Sequence, residues 1–312
     1  LLAAGLVALG SNSLTLSGAP TDELQIGDSA SVAPVPFEVT ALASMTISGS
    51  VRVMGDVEWT TDDAGSDTIT INGDFFFDQP TAPASRRHTF SFQDGRVIVQ
   101  GDLMVNGDTD GGAAGNQSEF IMNGGSFTVQ GDVTAEVGAN GNAGGIIQLL
   151  GGTFTAEMSV FIEGSGTAAQ AASFTMGDGA VLALGDGDAG NAGQVFEIGP
   201  NGSFTTTYTT TRPEITVTGV AGGDDTAGMD TDRYAMNLTA SLNIDGLAVS
   251  GYDSRGLALM NNSSIAAAAS NIMRDVQFSN GVDGGTHLTV EHDFNGDGTT
   301  IVVAIDFQFD DS

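Results

Sequence analysis

One short pattern returns along this chain at a nearly constant interval, and it limits the fold more than any other feature. Residues 90–102 read FSFQDGRVIVQGD, 120–132 read FIMNGGSFTVQGD and 174–186 read FTMGDGAVLALGD. Each runs apolar-x-apolar, a short turn ending in glycine, apolar-x-apolar, then Gly-Asp. A fourth copy, IQLLGGTFTAEMS at 147–159, lacks only the final Gly-Asp. Phe90 and Phe120 are 30 residues apart, and Gly125, Gly152 and Gly179 follow at intervals of 27. ISGSVRVMGD (47–56) and FEIGPNGSF (196–204) read as partial copies. A C-terminal variant comprises LNIDGLAVSG (242–251), SNIMRDVQFSNG (270–281) and TIVVAIDFQF (300–309).

The alternation inside each copy has period 2, which belongs to a strand with one buried and one wet face. Each strand offers only two or three inward apolar residues, such as Phe120 and Met122, or Phe127 and Val129. A single unit of this size cannot cover its apolar face, whereas stacked units can. The expectation is an all-β solenoid with coils of about 27–30 residues, equivalent side chains stacked in columns, and Phe127 over Phe154. Glycines at the corners supply bends that β-branched residues resist. Four regions follow: 1–42, an apolar segment and first strands acting as a cap or subunit contact; 43–211, regular solenoid; 212–235, an acidic loop-rich insertion; and 236–312, further coils and a terminal strand. LLAAGLVALG at 1–10 reads either as the end of a signal-peptide apolar region or as a strand, with Leu14 and Leu16 continuing the alternation.

Composition narrows the function. The chain has 39 acidic and 8 basic residues, a formal charge of −31, and 40% apolar residues. All the basic residues are arginine. A phosphate backbone demands clustered Lys and Arg, so nucleic acid is not an expected partner. Without lysine there is no Schiff-base chemistry, and without cysteine no disulfide or thiolate site. No apolar run approaches the roughly 20 residues of a membrane span. An aspartate-rich, lysine-free chain suits surroundings where cations screen self-repulsion, which points to an extracellular or cell-surface location.

The corner repeats and the IDGLAVSG…NIMRDVQFSNG pair resemble the right-handed parallel β-helix family, which includes pectin lyases, phage tailspikes and autotransporter passengers. The resemblance covers residues 43–309 approximately. It implies a right-handed rod with three faces and loops at its corners, such as 106–118 and 138–145. Hydrolases of the family carry Gly-His-Gly and Arg-Ile-Lys elements, and neither occurs here. Its lyases use a Lys or Arg base beside acidic calcium ligands. Sugar stacking favours Trp and Tyr; this chain has one Trp and three Tyr, while its 17 Phe read as interior residues. A Thr-x-Thr ice-binding array is not expected either: Thr205, Thr207, Thr209 and Thr211 alternate, but neighbouring units do not repeat them. His88 reads as a loop residue and Trp59 as a buried or half-buried strand residue.

Two acidic stretches are metal candidates. DFNGDGTT at 293–300 matches the first half of a calcium loop, with Asp293, Asn295, Asp297 and Thr299 as ligands. Position 12 would be Ala304, not Glu, so the stretch reads either as a shortened calcium site or as an ordinary Asn/Asp/Gly turn. Asp224, Asp225, Asp230 and Asp232 form a weaker candidate beside Arg233 and Tyr234. The functional expectation is a noncatalytic extracellular structural or adhesive solenoid. It would be a self-assembling filament or matrix subunit stabilised by cations, with calcium as the candidate cofactor. Homopolymer contacts would run through the N-terminal segment and the C-terminal strand. The alternative is a carbohydrate-active or carbohydrate-binding β-helix, tailspike-like or lyase-like.

Overall fold

The structure is a computed structural model that describes residues 5–8, 14–16, 23–27, 35–40, 44–61, 68–77, 87–107, 117–136, 144–163, 172–185, 195–217, 234–260, 264–265, 273–279, 281, 286–290 and 305–309. These residues form an all-β, parallel β-solenoid, with no helix among them. Every strand pairing is parallel, and the pairings sort into three columns, one per face of the rod.

The first face carries Gly5–Ala8, Val35–Thr40, Val57–Thr61, Arg87–Asp94, Gln117–Met122, Ile146–Leu149 and Ser173–Met176, each pairing with the next. The second carries Leu14–Leu16, Met45–Ile47, Ile69–Ile71, Arg96–Val99, Ser126–Val129, Thr153–Ala156, Val181–Leu184 and Glu214–Val217. The third carries Glu23–Gly27, Ser50–Met54, Phe75–Phe77, Leu103–Asn106, Val133–Glu136 and Val160–Ile162. Two longer strands then turn corners, and their mutual pairing shifts register between Ile198 and Gly202. Val195–Thr206 serves the third face and then the first; Tyr234–Ser250 serves all three. Met273–Ser279 and Ile305–Phe309 turn from the first face, at Met273 and Ile305, to the second, at 276–279 and 307–309.

The parallel register therefore begins before residue 43. Gly5–Ala8 pairs with 37–40 and Leu14–Leu16 with Met45–Ile47, so this part of the N-terminal region forms strands of the rod itself. Likewise Glu214–Val217 lies in register on the second face, inside the stretch expected to be an insertion. Two of the partial copies belong to other corners than the sequence comparison assigned. Residues 47–56 turn from the second face to the third, and 196–204 from the third to the first.

Burial follows the alternation. Phe120, Met122, Phe127 and Val129 are wholly buried, while Ile121 and Thr128 between them are half-exposed. Phe127 pairs in register with Phe154, and the rings stack with centroids 5.8 Å apart and planes 2° apart. Phe75, Phe92 and Phe120 meet Phe127 edge-on at 5.9, 5.5 and 5.2 Å. Trp59 is fully buried and packs against Phe75 and Phe90.

Left-handed glycines recur in coil after coil at the corner between the first and second faces. Gly95, Gly125, Gly152, Gly179 and Gly246 have φ of 99°, 72°, 75°, 70° and 74°. Glycine is required at Gly152 twice over. A Cβ there would strain the backbone and also lie 2.5 Å from the Gly125 carbonyl oxygen of the coil beneath.

Candidate functional site

The expected metal ligands Asp293, Asn295, Asp297 and Thr299 lie outside the described residues, as do Asp224, Asp225, Asp230 and Asp232. Among the described residues no group of three or more His, Cys, Asp or Glu side chains is arranged to hold a metal ion. Nor is any helix there long and apolar enough to cross a membrane. His88 is not in a loop: it lies within the strand Arg87–Asp94, wholly buried, with Nδ1 3.8 Å from an Asp56 carboxylate oxygen. Its inward position follows from the alternation it shares with Phe90 and Phe92. Tyr252 is also in the core, its hydroxyl bonded to His287 Nδ1.

The polar side chains that the fold does bring together are spent on tying one coil to the next. Along the corner that opens the third face, each coil's side-chain oxygen accepts the backbone N–H of the equivalent residue one coil on. Asp74 N–H donates to Ser50 Oγ (3.0 Å), Asp102 N–H to Asp74 Oδ1 (2.9 Å), Asp132 N–H to Asp102 Oδ1 (2.8 Å) and Ser159 N–H to Asp132 Oδ1 (3.0 Å). This column explains the Gly-Asp that closes the repeat. The carboxylate occupies the space beside the next coil's glycine, and a Cβ on Gly131 would also come within 2.7 Å of the Gly101 carbonyl carbon. Satisfying a backbone donor stabilises the corner, but it stacks like charges in a partly dry place. Burial, then repulsion from Asp74 and Asp132, pushes the Asp102 carboxyl above its usual range, against the lowering effect of the Asp132 N–H.

A second tie joins Asp178 to the next coil. Its carboxylate accepts the backbone N–H groups of Thr209, Thr210 and Thr211 at 3.0, 2.9 and 2.8 Å, and the hydroxyls of Thr209 and Thr210. These donors, with the Thr210 hydroxyl foremost, hold the Asp178 pKa well below the carboxylate range. Thr209 and Thr211 thus belong to a capping loop and do not continue the alternation of Thr205 and Thr207.

The densest charged group among the described residues spans three coils. Tyr208 lies across Gly246, where any Cβ would overlap its ring, and reaches Asp275 with its hydroxyl. Arg212 bonds the same carboxylate and sits 5.6 Å over the Tyr208 ring. Arg274 grips Asp245 with two hydrogen bonds of 2.7 and 2.6 Å. Asp275 occupies the position that Gly246 holds one coil earlier and keeps its left-handed backbone, φ 56°. Aspartate tolerates that region better than most side chains. The Arg212 and Tyr208 bonds lower the Asp275 pKa. This cluster escaped the sequence reading, although a signal was present. Ile244-Asp245-Gly246 returns 29 residues later as Met273-Arg274-Asp275, so opposite charges fall on equivalent positions of successive coils.

An open recess of about 310 Å³ lies on the third face, lined by Phe161, Ile162, Glu163, Glu197, Gly199 and Pro200. Phe161 is half-buried and faces outward, paired in register with Glu197. One residue beyond the pair Ile162 and Ile198, Glu163 stands opposite Gly199. The absence of a side chain at that rung opens the recess.

Columns, corners and ties together define the chain as a parallel β-solenoid protein. No protein-family model, curated protein or solved structure matches it.

Proposed function

We propose that this chain is a noncatalytic structural or adhesive protein of the cell exterior, built on the right-handed parallel β-helix of the pectin-lyase-like and autotransporter-passenger-like superfamily. In this reading it is a subunit of a filament or matrix. The observation that carries the proposal is where its polar groups go. The Asp74–Asp102–Asp132 column, the Asp178 cap and the Tyr208–Arg212–Asp275 cluster all join coil to coil. Such ties stiffen a rod along its axis. The carbohydrate-active reading is weakened because Trp59 and Tyr252 are in the core, where they cannot stack on a sugar.

Assembly through the N-terminal segment and the C-terminal strand is the proposed mode. Gly5–Ala8 and Ile305–Phe309 each pair along one edge, and the opposite edge of each has no partner among the described residues. A parallel edge of this kind is a template for a further strand. Subunits of charge −31 repel one another, so assembly requires screening by salt or calcium. Electron microscopy and sedimentation of the full chain test the proposal. Polymers are expected with millimolar calcium at high salt, and their loss with a chelator at low ionic strength. A monodisperse monomer under both conditions refutes it.

A further inference from the structure

The recess at Phe161 carries an inference beyond assembly. Two carboxylates and an aromatic ring line its mouth, and its volume of about 310 Å³ is at the low end for small-ligand sites, roughly 300–1,000 Å³. Among the described residues no arginine or histidine pairs with Glu163 or Glu197. We propose that the recess binds a primary ammonium group on an alkyl stem, the chemistry of a lysine side chain of a partner protein.

Several features favour this ligand. An ammonium ion is attracted to the face of an aromatic ring, and its alkyl stem packs on apolar surface while the head meets carboxylates. Phe161 supplies the ring, Glu197 the adjoining carboxylate in the paired strand, and Glu163, just past the strand that carries the ring, a second carboxylate. Pro200 has no N–H to offer an anion. The next rung adds negative charge. Glu136 precedes Glu163 in the same column, and burial, then repulsion from Glu163, raises its pKa. A bound cation would relieve that repulsion. Calcium fits poorly, since it seeks six to eight oxygens and among the described residues no group is arranged to hold a metal. Residues 1–312 of a second copy supply no lysine, so the ammonium group would come from elsewhere.

The test is a titration of the full, isotope-labelled chain with Nα-acetyl-lysine methylamide at constant ionic strength, followed by amide chemical shifts. The neutral norleucine analogue serves as control. Saturable shifts at 161–163 and 197–199 are expected for the lysine probe only, with half-saturation on the order of millimolar. Glu197→Gln and Phe161→Leu should each weaken binding about two- to fivefold, whereas Glu157→Gln, outside the recess, should not. Phe161 faces outward, so Phe161→Leu leaves the core alone; if that variant nevertheless misfolds, Glu197→Gln decides. Equal shifts with the neutral analogue, displacement by calcium at matched ionic strength, or unchanged binding in Glu197→Gln would each overturn the proposal. Because the titration is read on the single chain, its outcome is independent of whether polymers form.

Discussion

Replacing Phe127 by alanine tests the stacked-coil architecture at its centre. The ring is wholly buried, lies flat on Phe154 at 5.8 Å and receives the edges of Phe75, Phe92 and Phe120. Truncating a buried Phe costs roughly 3–5 kcal/mol, because transfer free energy is lost and the cavity closes only in part. Four aromatic neighbours from several coils cannot collapse together into that space, so the upper half of the range is expected. A solenoid transmits such damage mainly to adjoining units. Urea unfolding should therefore show the loss, and hydrogen exchange should place it. Amides in 117–136 and 144–163 should lose protection, while those in 44–61 lose much less. Phe161→Ala on the outer surface is the comparison and should cost about 1 kcal/mol or less. Equal costs for the two variants, or a uniform loss of protection along the rod, would refute the reasoning.

Three other outcomes are expected. Gly152→Ala should destabilise more than Gly179→Ala in thermal melts. Both glycines are left-handed, a strain of about 1–2 kcal/mol for alanine, but a Cβ on Gly179 meets nothing nearer than 3.7 Å, against 2.5 Å at Gly152. Asp102→Asn should raise the melting temperature at neutral pH. With its folded pKa above the unfolded value of 3.8, Asp102 binds more protons when folded, so its contribution to stability falls as pH rises through the interval above 3.8. The amide keeps an oxygen for the Asp132 N–H and removes the charge; the gain should shrink as pH drops toward the unfolded value, and a lower melting temperature at neutral pH would contradict it. Finally, calorimetry should detect calcium binding by the stretch 293–299, with an affinity of about micromolar to millimolar, weakened by Asp297→Ala; no heat up to several millimolar calcium would exclude that site.

Much of the architecture was legible in the residues alone. Period-2 alternation assigned Phe120, Met122, Phe127 and Val129 to the interior, and the 27-residue interval placed Phe154 over Phe127. Those inferences hold because side-chain direction in a strand is a local property, and because equal intervals stack equal residues. The corners were less legible. Residues 47–56 and 196–204 follow the same local pattern as 90–102, apolar-x-apolar around a glycine turn, yet they turn different corners of the rod. Nothing local distinguishes one corner from another; only hydrogen bonding to the coils above and below does.

The polar groups divide in the same way. That Gly-Asp recurs was visible in the sequence. That Asp102 reaches up to the Asp132 N–H, and so requires a glycine at 131, depends on two corners being stacked. Tyr208, Arg212 and Asp275 are separated by as many as 67 residues and share one carboxylate only because three coils lie on top of one another. His88 shows the limit from the other side. Beside Arg86 and Arg87 it looks like a solvated loop residue, and a pairing register set by Phe90 and Phe92 carries it into the core. The sequence by itself determined the strand, the period and the inward face, which are properties of neighbouring residues. The structure alone decided which corner each repeat turns and which charges meet, because both depend on long-range stacking.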